Sequence, residues 1–76
     1  MIPYANVRGN SPVIGYEIEP YRIIVWFKGG KPYSYSYNRA GVGNVEEMKR
    51  LAQSGAGLSA FITRNVRYLY DYRKFA

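Results

Sequence analysis

The chain of 76 residues contains neither cysteine nor histidine. Without thiols it cannot build a disulfide framework, and without imidazoles it lacks the usual side chain for metal binding and for proton transfer near neutral pH. A Ser-His-Asp triad is excluded for the same reason. No apolar run approaches the ~18 residues of a membrane span, and no secretion signal is present. We therefore expect a cytoplasmic protein that is not an enzyme, has no cofactor or metal and does not enter a membrane.

Acidic residues are scarce, and aromatic residues are abundant. Eleven basic residues against five acidic residues give a net charge of +6, and nine tyrosines account for most of the 17% aromatic content. A positive potential favours polyanions, and tyrosine rings offer faces on which bases stack. This composition predicts a nucleic-acid-binding module. The alternative is a protein-interaction module in which tyrosine and arginine side chains anchor a partner.

Strand patterns follow an irregular first segment. Residues 1–12 contain turn residues without periodicity, which predicts a flexible N-terminal arm before a single domain at residues 13–76. Residues 13–19 alternate, with Ile14, Tyr16 and Ile18 on one face. Residues 21–28 are rich in β-branched and aromatic side chains, and residues 32–38 alternate again after the Gly29-Gly30 turn. These segments predict three antiparallel strands.

The second half has a helical period. Asn44 and Glu47 have the spacing of a capping box, and Gly55 is a typical helix end. A second helix follows Gly57. Apolar side chains recur at helical spacing in both segments: Val45, Met48, Leu51 and Ala52, then Leu58, Phe61, Ile62, Val66 and Leu69. We predict an α+β fold in which a three-stranded antiparallel β-sheet, formed by two hairpins, is followed by two α-helices packed on one face.

The tyrosine stripe has two possible locations. Tyr33, Tyr35 and Tyr37 share one face of the third strand. A two-residue turn at Gly29-Gly30 would place them beside Arg22, Trp26 and Lys28, as an exposed aromatic platform. A loop with an odd number of residues would place them beside Ile23, Val25 and Phe27, in the core under the helices. The parity of this hairpin decides between an RNA-stacking surface and a structural stripe.

Candidate phosphate contacts lie on both halves of the chain. Arg64 and Arg67 lie on the polar side of the second helix, where exposed arginines also commonly serve only solubility. Together with the strand residues they form the predicted nucleic-acid-binding set: Arg22, Trp26, Lys28, Lys31, Tyr33, Tyr35, Tyr37, Arg39, Arg64 and Arg67. The two edges of a three-stranded sheet could pair between copies, so we expect a monomer or a weak homodimer.

A series of short motifs is spread over residues 11–72, namely Ser11, Gly15-Tyr16, Ile23, Val25, Phe27, Gly29-Gly30, Tyr33-Ser34-Tyr35, Ala52, Ser54-Gly55, Val66-Arg67 and Tyr70. In this order the motifs resemble the KTSC domain, a family named for a segment at the C-terminus of some lysyl-tRNA synthetases and also found as short bacterial and phage proteins. The family usually has Val-Pro after its tyrosines, whereas residues 38–42 contain no proline. The resemblance implies an α+β domain, and for its function only a suggestion of RNA binding.

Overall fold

The protein folds as an α+β domain around an antiparallel sheet, and the computed structural model describes residues 1–73. Within these residues the sheet has five strands in the order β1-β2-β3-β4-β5, namely β1 (Ile2–Pro3), β2 (Val13–Glu19), β3 (Arg22–Phe27), β4 (Tyr33–Ser36) and β5 (Tyr72–Arg73). The predicted three strands correspond to β2, β3 and β4. The prediction missed β1 and β5, because strands of two residues carry no detectable periodicity.

Helices follow β4 and cover one face of the sheet. They are α1 (Tyr37–Ala40), α2 (Val42–Ser54) and α3 (Leu58–Phe61), and α3 continues into a π-helical turn (Ile62–Val66). The two predicted helices correspond to α2 and to α3 with its π-helical turn. The predicted third strand was too long, because Tyr37 and Asn38 belong to α1.

Glycine residues mark both ends of α2. The helix begins after Gly41 and not at a capping box, since the Asn44 side chain instead donates a hydrogen bond to the Ala40 carbonyl at 2.9 Å. The predicted end at Gly55 is confirmed. Gly55 has a φ of 81°, and its N–H donates to the Leu51 carbonyl. A left-handed residue at this position suits glycine, which has no Cβ to clash.

The core lies between the helices and one face of the sheet. Fully buried side chains of β3 and β4 meet the apolar stripes of the helices, and the cluster includes Ile23, Val25, Tyr35, Val45, Met48, Ala52, Leu58, Ile62 and Val66. The predicted stripe of the first helix is therefore confirmed, as is that of the second helix as far as Val66, with Leu51 and Phe61 packed at the edge of the core. Leu69 also packs against the core but lies beyond the π-helical turn, so the predicted second helix was too long. The prediction for β2 was wrong at Ile14. A register shift between Val13 and Gly15 leaves Ile14 41% exposed, because a bulge changes the face on which the next side chain lies.

The first twelve residues pack against the domain, where the sequence predicted a flexible arm. The Tyr4 side chain is buried, and its hydroxyl accepts a hydrogen bond from the Leu58 N–H at 3.4 Å. The Tyr4 N–H donates to the Ile14 carbonyl at 3.0 Å, and the Val7 N–H donates to the Gly55 carbonyl at 2.9 Å. The arm thus closes over the end of α2 and the start of α3.

Candidate nucleic-acid interface

The β3–β4 register decides where the tyrosine stripe lies. Ile23 is opposite Tyr35, and Val25 is opposite Tyr33. The two-residue hairpin turn is therefore wrong, because it would have paired Tyr33 with Trp26. Directly opposed residues of an antiparallel pair share a face of the sheet. Tyr33 and Tyr35 consequently lie on the core side.

This register overturns the aromatic platform. Trp26 is opposite Gly15 and, like Arg22, belongs to the other face of the sheet, away from Tyr33 and Tyr35. Tyr35 is only 2% exposed, so bases cannot stack on its ring in the folded protein. The odd-numbered connection between β3 and β4 accounts for the difference, since a shift of one residue moves every side chain to the opposite face.

A polar network occupies the face that carries Arg22. The Arg22 Nη1 donates to the Ser34 Oγ at 3.1 Å, and its Nε lies 3.6 Å from a Glu19 carboxylate oxygen. The Ser34 hydroxyl donates to Asp71 at 3.2 Å, and the Ser36 hydroxyl donates to the same carboxylate at 2.6 Å. Arg22 is therefore held by neighbouring side chains, and this network ties the segment before β5 to β4.

Tyr37 is separated from the rest of the stripe because it begins α1. Its hydroxyl donates a short hydrogen bond to the Glu46 carboxylate, and the Lys49 Nζ lies 3.0 Å from the same carboxylate. The hydrogen bond to Glu46 raises the pKa of Tyr37, and the same bond, with a contribution from Lys49, lowers the pKa of Glu46. The Lys49 ammonium also lies 5.3 Å from the centre of the Tyr37 ring. Tyr37 thus joins α1 to α2, and Arg39 is exposed on the same short helix.

An open groove of about 360 Å³ lies where the β3–β4 loop approaches the segment after the π-helical turn. We call it the aromatic groove. It is lined by Phe27, Gly30, Tyr33, Tyr35, Ile62, Arg67, Tyr68 and Tyr70. Its volume lies in the range typical of small-ligand sites.

Edge-to-face contacts hold the rings of the groove. The Tyr33 ring centre lies 5.7 Å from that of Phe27 and 4.8 Å from that of Tyr70, both at an interplanar angle of 87°. Such T-shaped pairs are favoured by the ring quadrupoles. Tyr68, in contrast, is 70% exposed at the rim, where the Arg67 guanidinium lies 5.4 Å from the centre of its ring.

One basic residue lines this groove, and three others lie on the segments that contribute to it. Arg67 lines it directly and is exposed, as is Arg64 on the adjoining π-helical turn. Lys28 and Lys31 lie in the same loop as Gly30, and both are exposed. Within residues 1–73, Lys28, Arg64 and Arg67 take part in no salt bridge, whereas Arg50 on α2 pairs with Glu47.

The structure therefore gathers one part of the predicted set and separates the other. Three predicted residues line the groove: Tyr33, Tyr35 and Arg67. Three more, Lys28, Lys31 and Arg64, lie on neighbouring segments. The remaining four lie elsewhere: Arg22, Trp26, Tyr37 and Arg39. Sequence reasoning missed Phe27, Tyr68 and Tyr70 as lining residues. The closely spaced Arg67, Tyr68 and Tyr70 were a sequence signal for an aromatic and basic site. However, no helical or strand periodicity indicated that this segment lies beside β4.

A second cavity, of about 340 Å³, lies between the N-terminal arm and the turn before α3. Arg8 is the single charged residue that lines it, beside Asn6, Ser11 and Ser59. Residues 1–73 contain no group of three or more acidic residues placed to hold a metal ion. Among the same residues, no helix combines the length and the apolar character that crossing a membrane requires.

Comparison with known proteins returned no relative. No family model matches the chain, and no curated protein or solved structure resembles it significantly.

Proposed function

We propose that the protein is a small non-catalytic module that binds nucleic acid, with single-stranded RNA as its ligand. The observation that carries this proposal is the aromatic groove, in which five aromatic side chains and Arg67 line one open cavity. The proposal retains the basic and aromatic surface expected from the sequence but moves it from the flat platform to the groove.

Aromatic side chains at the groove supply the affinity that does not depend on charge. Tyr68 is largely exposed at the rim, and the partly buried rings of Phe27, Tyr33 and Tyr70 lie deeper. Stacking of a base on an aromatic side chain contributes about 1–3 kcal/mol and requires an unpaired base. A single strand can present such a base, whereas a duplex keeps its bases stacked internally.

Cations near the groove supply the contacts to phosphate. Lys28, Arg64 and Arg67 are exposed and carry no salt bridge within residues 1–73, so their charges are not neutralised by neighbouring acids. Three phosphate contacts on a single strand correspond to a slope of about −2 in a plot of log affinity against log salt. Affinity is then expected to fall about 20-fold between about 50 mM and about 200 mM salt.

The test is a fluorescence-anisotropy titration of labelled tRNA, single-stranded RNA and duplex DNA at these two salt concentrations. We expect tighter binding of the single strand than of the duplex, with the stated salt dependence. Arg67→Gln should weaken binding of all single strands and reduce the slope by about 0.7.

Arg39→Gln is the matched control, because it removes the same charge from an exposed position on α1 that does not line the groove. Equal losses in the Arg67 and Arg39 variants would show that only net charge matters and would contradict a role of the groove. No binding at the lower salt concentration would overturn the proposal as a whole.

A protein-interaction module is the second candidate, and the β1 edge favours it. Met1, Ile2 and Ile14 are large apolar side chains that are 60%, 51% and 41% exposed at or beside this edge. An edge strand has unpaired backbone groups that can pair with another strand, including that of a second copy. Sedimentation velocity over a range of protein concentrations tests the homodimer. An increase in mass with concentration that Ile2→Lys abolishes would support pairing at β1, and a concentration-independent monomer would count against it.

The resemblance to the KTSC domain is consistent with this proposal, since RNA binding is the one activity suggested for that family. Kinship to the family is itself part of the proposal, and it rests on the order of short motifs from Gly15-Tyr16 to Val66-Arg67 and Tyr70. We also propose a cytoplasmic location, where RNA is accessible to the protein.

A further inference from the structure

Tyr35 and Tyr16 are buried tyrosines whose hydroxyls have no hydrogen-bond partner within residues 1–73, and of the two it is Tyr35 that lines the aromatic groove. Tyr35 is 2% exposed. Buried tyrosine hydroxyls usually find a partner, because an unpaired polar group in the interior is costly. Tyr4 follows this rule through the Leu58 N–H.

Contact with solvent accounts for the missing hydrogen-bond partner of the Tyr35 hydroxyl. In the described part of the chain, every side-chain nitrogen or oxygen fully shut off from solvent has a hydrogen-bond partner. The unpartnered Tyr35 hydroxyl must therefore keep some contact with solvent, which the groove lined by the Tyr35 side chain can supply. The hydroxyl thus presents a free donor and acceptor inside an otherwise aromatic cavity.

The Tyr35 hydroxyl is protonated at neutral pH. Burial is the main reason why the pKa of Tyr35 is raised, and the neighbouring Tyr33 and Tyr70 hydroxyls raise it further. The group is therefore an uncharged phenol at neutral pH and can donate a hydrogen bond there.

The chemistry of a fitting ligand follows from these neighbours. Aromatic walls favour a flat ring, the Tyr35 hydroxyl favours an acceptor atom on the edge of that ring, and the Arg67 guanidinium favours an anion beside it. An unpaired base in a polynucleotide combines all three features, since its edge carries acceptor atoms and its backbone carries phosphates.

We propose that the aromatic groove holds one unpaired base of a single strand, and that the Tyr35 hydroxyl donates a hydrogen bond to an acceptor on the edge of that base. Tyr35 would then be a specificity-determining residue. This inference rests on the proposed function, since it requires that the protein bind single-stranded nucleic acid.

The experiment compares the dissociation constants of four RNA homopolymers of equal length for the wild-type protein and for Tyr35→Phe. The substitution keeps the ring in the core and removes the hydroxyl. Loss of one hydrogen bond should weaken binding of the preferred homopolymer roughly three- to tenfold and leave the others less affected, so that the four dissociation constants converge.

Tyr16→Phe is the matched control. Tyr16 is also buried on the core side and has no hydrogen-bond partner within residues 1–73, but it lines neither cavity. Thermal unfolding of both variants verifies that the fold is kept. A uniform loss for all four homopolymers, or no loss, would overturn the role of Tyr35 while leaving nucleic-acid binding intact. A wild-type protein that binds none of them would instead overturn the proposed function.

Discussion

Tyr35 lies directly opposite Ile23 in the register of β3 and β4, and both side chains are buried in the core. This pairing turns the alternating tyrosines of β4 toward the helices and leaves Ser34 on the opposite face with Arg22. It also brings Tyr33 and Tyr35 to the aromatic groove. One register therefore determines both the packing of the core and the position of the candidate site.

Tyr35→Ala should destabilise the protein by about 3–5 kcal/mol, because it removes a buried aromatic ring from the core. A domain of this size has a total stability of only roughly 4–11 kcal/mol, so this variant should lose a large fraction of its stability. Urea titration followed by circular dichroism measures the change. The structural role of the ring would be contradicted if Tyr35→Ala were as stable as Tyr35→Phe.

The link between Tyr37 and Glu46 predicts a pH dependence of stability. The pKa of Glu46 is lowered below 4.5 by the hydrogen bond from Tyr37 and by Lys49. A carboxylate whose pKa is lowered by folding stabilises the protein above the unfolded pKa, and that stabilisation is lost as pH falls through the folded pKa. We expect the melting temperature to fall below about pH 4.5, and Glu46→Gln to reduce this fall.

Thermal melts between about pH 3 and neutral pH measure this dependence. Glu17→Gln is the control, since Glu17 has no ion pair or hydrogen-bond partner within residues 1–73, and it should keep the wild-type profile. Identical profiles for the wild type and Glu46→Gln would exclude the contribution of this link.

Two glycines test the packing of the N-terminal arm. Gly55 and Gly57 have φ angles of 81° and 85°, so an alanine at either position should cost about 1–2 kcal/mol of backbone strain. A Cβ at Gly55 would also lie 2.7 Å from the Ala5 Cβ, whereas at Gly57 the nearest atom is 3.5 Å away. Gly55→Ala should therefore be the more destabilising variant in chemical denaturation. Equal losses would show that the arm does not pack against Gly55 in solution.

Ser36 should be more important for stability than its size suggests. Its hydroxyl donates to Asp71 at 2.6 Å and accepts from the Arg39 N–H at 3.2 Å, which caps α1. Ser36→Ala should cost about 1–2 kcal/mol through the lost cap and the lost bond to the carboxylate. Ser59→Ala removes a hydroxyl that has no hydrogen bond within residues 1–73 and should be close to neutral. Thermal unfolding distinguishes the two variants, and similar melting temperatures would contradict this role of Ser36.

Local patterns in the sequence were sufficient for the central elements of the fold. Alternation predicted β2 and β4, the content of β-branched and aromatic residues predicted β3, and the helical period identified the buried faces that contain Met48 and Leu58. Gly55 was recognised as a helix end because a left-handed backbone at that position suits a residue without a side chain. In each case, the decisive interactions are between residues close in the chain, so the sequence itself carries the signal.

Only the tertiary structure decided the face of the tyrosine stripe, the edge strands and the candidate site. The composition of the loop between β3 and β4 does not reveal whether it has an even or an odd number of residues. A difference of one residue moves the tyrosines of β4 to the opposite face of the sheet. The strands β1 and β5 exist only because β2 and β4 offer unpaired edges to them. The aromatic groove brings Phe27 and Tyr33 together with Tyr70, which follows them by 43 and 37 residues in the sequence. Such contacts depend on the packing of the whole domain, and no local pattern in the sequence encodes them.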